Sequence, residues 1–432
     1  MNSIIDQVTG QELRQAVEAV CRQAREASCQ LAVAEEGRLN QALEILARRI
    51  EAATEAIIEQ NKLDLALAET AGQSKAFIDR LTLNPARIQA MAQGVREIAA
   101  LHSRVGKSLE ERKLENGVLL QKIAVPLGVI GIIYESRPNV TIDVAALCLK
   151  SGNAVVLKGG SESLNSNRFL VGLIKEALAE AGLPTDVVGF VNSPERAATL
   201  HLLKQDKYLD VLIPRGGYEL VRAVVEHSSI PVLYHAEGGA RIYVDPTADL
   251  NMARQIVFNS KTNRPSTCNT LDTVVLHRDI AADFLRLALP ELRAAGVRVR
   301  AEQMAFELVS PALAQELELA TEEDWATEYL DLVLAVKIAG SFTEALEFIR
   351  HYSKRHTEGI VARDEKLIQT FVNSLDAAAL LVNCSTRLHD GGVFGLGAEM
   401  GISTGKLHAR GPVGIEELAT YKWVARGNGQ IR

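Results

Sequence analysis

The stretch Leu127-Gly-Val-Ile-Gly-Ile-Ile-Tyr134-Glu-Ser-Arg-Pro-Asn139 is an apolar run that ends abruptly in charged and turn-forming residues. Its first eight residues read as a buried strand and its last five as the junction to a helix. The pattern then repeats: apolar runs at 154–158, 187–191, 209–214 and 231–234 alternate with helical patterns. That rhythm predicts an α/β fold built on a parallel, doubly wound sheet. Such sheets bind ligands at the carboxyl ends of their strands, so the residues after each strand carry the functional reading.

Three junctions stand out. Lys158 is followed by Gly159-Gly160-Ser161-Glu162, and the 209–214 run by Arg215-Gly216-Gly217, each before a helix. Both turns offer backbone N–H groups to a phosphate, although Gly-Gly is also common loop punctuation. Glu135-Ser-Arg-Pro-Asn139 leads into a helix over 142–151, where Asn139 serves either as a cap or as a donor to an oxyanion.

Upstream, residues 11–70 are helical in composition, with Leu39, Leu43, Leu46 and Ile50 on one packing face. A helix is expected over 84–101 behind Asn84-Pro85, and Asn116-Gly117 marks a hairpin of the kind that serves assembly. Downstream, the α/β alternation restarts near Gly238-Gly239, with strands at 241–244, 272–277, 332–336 and 380–383. Ser341 and Glu344 predict a capping box for a helix ending at 352. The division expected is a first domain of residues 1–237 with a hairpin at 111–126, and a second of 238–410. Residues 411–432 return to the first domain or its hairpin.

The second domain contains Lys261-Thr-Asn-Arg-Pro-Ser-Thr-Cys268-Asn-Thr270, and Cys268 reads as a nucleophile. A free thiol titrates near pH ~8.5, and positive charge or oriented amides raise its thiolate fraction. Arg264 and the backbone of 266–270 are placed to supply both. A glycine-rich loop at 385–399 and the run 406–412 hold many polar groups. His389 and His408 have no metal-ligand companions at short spacing, so surface or hydrogen-bonding roles are expected for both.

Composition narrows the alternatives. A chain of 432 residues exceeds the size of one ordinary core and implies two domains. The net charge of −7 argues against nucleic acid as a partner and requires local arginines for an anionic substrate. The five cysteines are scattered, which disfavours disulfides and a zinc site. Neither a membrane span nor a secretory leader is read, so the cytoplasm is the expected compartment.

Taken together, 261–270, 385–399 and 406–412 resemble the γ-glutamyl phosphate reductases, the proline-biosynthesis branch of the aldehyde dehydrogenase superfamily. The resemblance implies a Rossmann-like cofactor domain, a catalytic domain bearing Cys268 and a small oligomerisation β-ribbon. It implies NADPH-dependent reduction of L-glutamyl 5-phosphate to L-glutamate 5-semialdehyde through a Cys268 thioester, a homo-oligomer, and a glutamate 5-kinase as the partner that forms the substrate. Lys158 matches the lysine that binds the adenosine ribose, with Gly159, Gly216 and Gly217 in the cofactor turns. Ser161 falls where NAD-preferring relatives often carry glutamate, so nothing there repels a 2′-phosphate. Glu328 resembles the glutamate that holds the nicotinamide ribose. Arg137, Arg264 and Arg387 are the candidate substrate arginines, and Asn139 with the Cys268 amide the candidate oxyanion donors. Residues 234–241 depart from the usual reductase pattern, and Glu237 faintly resembles the general base of hydrolysing relatives. An oxidising aldehyde dehydrogenase, an acyl-CoA-linked reductase and a non-catalytic binding protein are the rival readings.

Overall fold

The computed structural model describes residues 2–234 and 237–432, with side chains from Gly10 onward. His235 and Ala236 of the unusual 234–241 segment lie outside the described residues. The chain opens with helices α1 (Asn2–Leu31), α2 (Glu36–Ala52), α3 (Thr54–Thr70), α4 (Lys75–Leu81) and α5 (Pro85–Ala100). Leu39, Leu43, Leu46 and Ile50 bury one face of α2, as their spacing requires. At the start of α5, Asn84 Oδ1 accepts from the Arg87 amide at 2.9 Å, and Pro85 occupies the first turn, where its missing N–H is no loss.

Strands β1 (Ser108–Lys113) and β2 (Leu119–Pro126) form the expected hairpin. The chain then alternates through β3 (Val129–Tyr134), α6 (Asn139–Lys150), β4 (Ala154–Gly159), α7 (Leu164–Glu180), β5 (Val188–Phe190), α8 (Arg196–Leu202), β6 (Val211–Arg215) and α9 (Tyr218–His227). The four strands from β3 to β6 make a parallel sheet in the order β5-β4-β3-β6. Every residue of β3 and β4 is buried, which is why both read as unbroken apolar runs. The fifth strand expected, at 231–234, does not form. Leu212 and Val232 make a single bridge, because Pro231 offers a carbonyl but no N–H and the chain turns away after Leu233.

The second half runs β7 (Ala240–Val244), α10 (Leu250–Thr262), β8 (Leu271–His277), α11 (Arg278–Ala294), β9 (Arg298–Ala301), α12 (Gln303–Leu308), α13 (Pro311–Ala314) and β10 (Leu317–Leu319). It continues through α14 (Glu322–Ala326), β11 (Val333–Ala339), α15 (Phe342–Tyr352), β12 (Thr357–Val361), α16 (Glu365–Ser374) and β13 (Ala379–Val382). Its seven strands are parallel, in the order β10-β9-β11-β8-β7-β12-β13. The capping box at α15 is only half made. Ser341 Oγ accepts from the Glu344 amide, but the Glu344 carboxylate accepts from Gly340 instead of Ser341.

After the short pair β14 (Ile402–Ser403) and β15 (Gly411–Pro412), strand β16 (Ala419–Arg426) pairs antiparallel with β2 and completes a three-stranded ribbon. Met400, Ala409, Val413, Ile415 and Leu418 join the apolar core of residues 17–233, whereas Ile242 to Leu375 pack in separate clusters. The glycine-rich loop therefore crosses from one core to the other.

Candidate active site

At the carboxyl ends of β3 and β4, beside α8 and α9, lies a cavity of about 970 Å³. Lys158, Gly159 and Ser161 line it, together with Ser136, Glu162, Arg80 and Arg196. Lys158 is buried, and its Nζ donates to the Gly159 carbonyl at 2.8 Å. Gly159 also has a packing reason to be glycine: a Cβ there would run into Asn167 and the Tyr134 ring. The Gly216-Gly217 turn does not present bare amides as the sequence suggests. Gly217 donates its N–H to the Glu135 carboxylate at 3.0 Å, and Gly216 is packed against the same carboxylate. The first amides of α7, at Asn165 and Ser166, are taken by the fully buried Asp64. A carboxylate also stands one residue beyond Ser161. Glu162 lies on the cavity wall, pinned by the Ser136 N–H at 2.7 Å and its Oγ at 3.0 Å.

Cys268 lies between α10 and β8, in a loop closed by its own polar groups. The Arg264 carbonyl accepts from the Thr267 N–H and Oγ1 and from Thr270 Oγ1, at 3.3, 2.9 and 3.0 Å. Asn269 donates to the carbonyl of His389 at 2.9 Å, which ties the nucleophile loop to the glycine-rich loop. His389 is not on the surface: it is fully buried, bonded to Thr357 Oγ1 at 2.8 Å.

The charges facing Cys268 come from three separate segments, the glycine-rich loop supplying both Glu399 and Arg387. Glu328 and Glu399 raise its thiol and Arg215 lowers it, while Arg387 also feels the sulfur's charge. Arg215, at the end of β6, was legible only as part of a turn, and Glu399 only as the end of a loop. Arg215 is packed onto Gly401, where φ is 144° and a Cβ would stand 2.5 Å from its Nη1. Among the described residues, neither Arg215 nor Arg387 has a carboxylate within ion-pair distance. Arg137 stands near Arg215 and Arg80, and Arg264 near Arg387.

The activation expected from Arg264 is not what the structure shows. Its side chain is exposed, and the loop uses its carbonyl instead. Burial, first, and then the two carboxylates push the Cys268 thiol up to about 12. So high a value leaves little thiolate at neutral pH, although a more basic thiolate is also a better nucleophile. Combining the two effects, iodoacetamide at pH 7.5 is expected to alkylate Cys268 about 10²-fold more slowly than a free cysteine thiol. Alkylation at the rate of free cysteine, read by peptide mass spectrometry, would contradict this environment.

Asn139 is the first residue of α6, with Pro138 at the cap, so it is not a simple cap. Its Nδ2 donates to Asp143 Oδ2 at 2.9 Å, leaving one amide hydrogen for another acceptor. Asp143 in turn lies near Arg215, and burial raises its carboxyl to about 6. Glu237 is ion-paired with Lys354. The remaining carboxylate, Glu328, accepts from the Gly238 amide and is raised to about 7 by burial and by Asp272. Neighbouring Tyr329 is fixed at both ends, its amide on Asp272 at 3.2 Å and its hydroxyl on Asp324 at 2.7 Å. The described residues contain no His/Cys/Asp/Glu cluster suited to a metal.

A family model described as the aldehyde dehydrogenase family matches residues 3–304. A γ-glutamyl phosphate reductase of Syntrophomonas wolfei is 48% identical over 95% of this chain and 97% of its own length. One from Thermobifida fusca is 48% identical over 98% of this chain and 100% of its own. A crystal structure of the γ-glutamyl phosphate reductase of Thermotoga maritima superposes with a TM-score of 0.93 at 41% identity, covering 96% of this chain and 99% of that one. An acetylating aldehyde dehydrogenase of Geobacillus thermoglucosidasius shares the fold, with a TM-score of 0.69 at 20% identity, 98% of this chain and 99% of that one being covered.

Proposed function

Because the chain belongs to the aldehyde dehydrogenase family, and within it to the γ-glutamyl phosphate reductases, we propose that it reduces L-glutamyl 5-phosphate to L-glutamate 5-semialdehyde and phosphate. The step belongs to proline biosynthesis, and the nicotinamide cofactor it uses is NADPH. One observation of the site carries the reading: Cys268 lies beside Arg215 and Arg387, which among the described residues have no carboxylate within ion-pair distance. Half-buried guanidinium groups without an ion-pair partner among the described residues suit a substrate that brings its own phosphate and carboxylate. Arg215 and Arg387 hold those anions close to the sulfur, with Arg137 and Arg264 further out.

Cys268 attacks the acyl phosphate and expels phosphate, giving a thioester. Its own N–H and the unspent hydrogen of Asn139 hold the negative acyl oxygen that forms during attack. The bound cofactor supplies the hydride that converts the thioester carbon to the level of an aldehyde. Glu237 is held by Lys354, which suits a reductase that must not hydrolyse its thioester.

Lys158 and Ser161 hold the adenosine end of the cofactor, and Glu328 the nicotinamide ribose. The NADPH reading is supported by Arg80 and Arg196, which line the same cavity and make no ion pair among the described residues. Glu162 is the carboxylate that the sequence reading overlooked, and its bonds to Ser136 hold it in place. The three-stranded ribbon, with Tyr421 and Trp423 about half exposed, is the surface for self-association. A glutamate 5-kinase supplies the substrate. No helix among the described residues is long and apolar enough to cross a membrane, which accords with a cytoplasmic enzyme.

The test runs the reaction backwards. Pyrroline-5-carboxylate and NADP⁺ should yield NADPH only with inorganic phosphate present, and not with Cys268→Ala. Turnover without phosphate would indicate an aldehyde oxidiser, and a requirement for coenzyme A an acyl-CoA-linked reductase.

A further inference from the structure

Lys261 stands in the last turn of α10, where a lysine ordinarily reaches into water, yet its side chain is fully buried. Its Nζ donates to the carbonyl of Leu271, the first residue of β8, at 2.8 Å. This contact spans residues 263–270 and closes the Cys268 loop at its base. The same ammonium stands 3.9 Å from Asp272 Oδ1 and 5.9 Å from the centre of the Tyr329 ring. Asp272 Oδ1 accepts the Tyr329 amide at 3.2 Å, and Oδ2 would stand 3.3 Å from a Cβ on Gly239. Gly239 in turn donates its N–H to the Cys268 carbonyl at 2.8 Å. One buried cation therefore underlies both the loop that carries Cys268 and the stretch that carries Glu328.

On the reading that Cys268 is acylated by substrate and Glu328 holds the nicotinamide ribose, we propose that Lys261 is a positioning residue, which through Leu271 and Asp272 sets the nucleophile and the nicotinamide in register. Hydride transfer requires the two reacting carbons to meet at about 3–3.5 Å, and their holders lie far apart in sequence. A shared anchor beneath both segments fixes that separation.

Stability alone does not call for a charge here. An apolar side chain would fill the space with no ammonium to desolvate, and a buried ion pair adds little to stability over well-packed apolar residues. The ammonium adds convergence: a carbonyl, a carboxylate and an aromatic ring all approach one atom. Burial brings it down to about 8, while Asp272 and Asp331 favour its charge. Behind Asp272 stand Arg241 of β7 and Glu358 of β12, 3.5 Å apart.

The test separates position from stability. Lys261→Met removes the charge that Asp272 faces and should lower kcat about 10²-fold, the scale of about 1 Å at a reacting atom. NADPH should bind about tenfold more weakly, as expected when one charged hydrogen bond is weakened. Adenosine 2′,5′-bisphosphate, which carries only the adenosine end, should bind as in the parent, because that cavity includes neither Lys261 nor Asp272. As pH rises through about 8 and Lys261 loses its proton, the parent should lose affinity for NADPH but not for the bisphosphate. Lys261→Met should show no such fall. Lys261→Met combined with Asp272→Leu replaces the whole pair by apolar groups, so it should regain most of any lost melting temperature but neither kcat nor NADPH affinity. The combined variant also stands in if the single one fails to fold. Parent-like kcat and NADPH affinity in the combined variant, or equal weakening of NADPH and the bisphosphate in either, would overturn the proposal and leave the pair a structural one. Reduction that survives in Cys268→Ala would instead overturn the thioester reading on which it rests.

Discussion

Replacing Arg215 with methionine is expected to lower kcat/KM for acyl-phosphate reduction by about 10³-fold, the scale of losing one preorganised charged donor. The guanidinium is held by its backbone and by packing rather than by a counter-ion. Arg215 ends β6 in register with Tyr134 of β3, its carbonyl accepts the Glu135 amide at 3.1 Å, and its head rests on Gly401. Desolvation works against its charge, while Glu399, Cys268 and Asp143 favour it. A substrate anion arriving beside Cys268 therefore meets a cation that has already lost part of its water. Arg215→Lys should recover little, because an ammonium cannot make forked contacts with phosphate or carboxylate oxygens. Two alkylating agents separate charge from packing. The rate ratio of anionic iodoacetate to neutral iodoacetamide at Cys268 should exceed that of a free thiol and fall to it in Arg215→Met. A ratio unmoved by the substitution would show that Arg215 does not act on the nucleophile's surroundings.

Arg215 also shows where sequence reading stops. The sheet of β3 to β6 was legible because both faces of its strands are covered, so β3 and β4 carry almost no polar residue. Strand β12 was not: it holds Glu358, whose charge is tolerable only because Arg241 of β7 comes within 3.5 Å once the sheet has formed. Cys268 was legible from its hydroxyl and amide neighbours, which are the groups that close its loop. The sources of charge around it were not. Arg264 is close in sequence, but at φ 53° it turns its carbonyl inward and leaves its guanidinium outside. Arg215 belongs to the other sheet and reaches the sulfur only where the two halves of the chain meet. The Gly216-Gly217 turn and the start of α7 misled in a related way, since the acids on their amides, Glu135 and Asp64, precede them by long stretches of chain.

Gly238→Ala should be the most damaging substitution that removes no functional group, lowering kcat by about 10³-fold while NADPH still binds. One methyl group would have to enter space already filled by Cys268 Cβ at 2.5 Å, the Cys268 carbonyl at 2.6 Å and the Glu328 carboxylate. None of the three can give way alone. The Cys268 carbonyl is bonded to the Gly239 amide, Gly239 sits at φ 126° where another residue would be strained, and Glu328 is anchored through Tyr329 and Asp272. The segments must therefore part. A displacement of about 1 Å at a reacting atom costs on the order of 10²-fold in rate, and here nucleophile and carboxylate move apart together. Overpacking of this kind costs about 1–3 kcal/mol of stability, so the protein should still fold. The cavity for the adenosine end of the cofactor is lined by α3, α4, α8, α9 and the ends of β3 and β4 and does not include residue 238, so a fluorescence titration should still show NADPH binding, weakened only through the displaced Glu328. Turnover within tenfold of the parent would mean that the Cys268 and Glu328 segments can separate without loss, and that their close approach does not serve the chemistry.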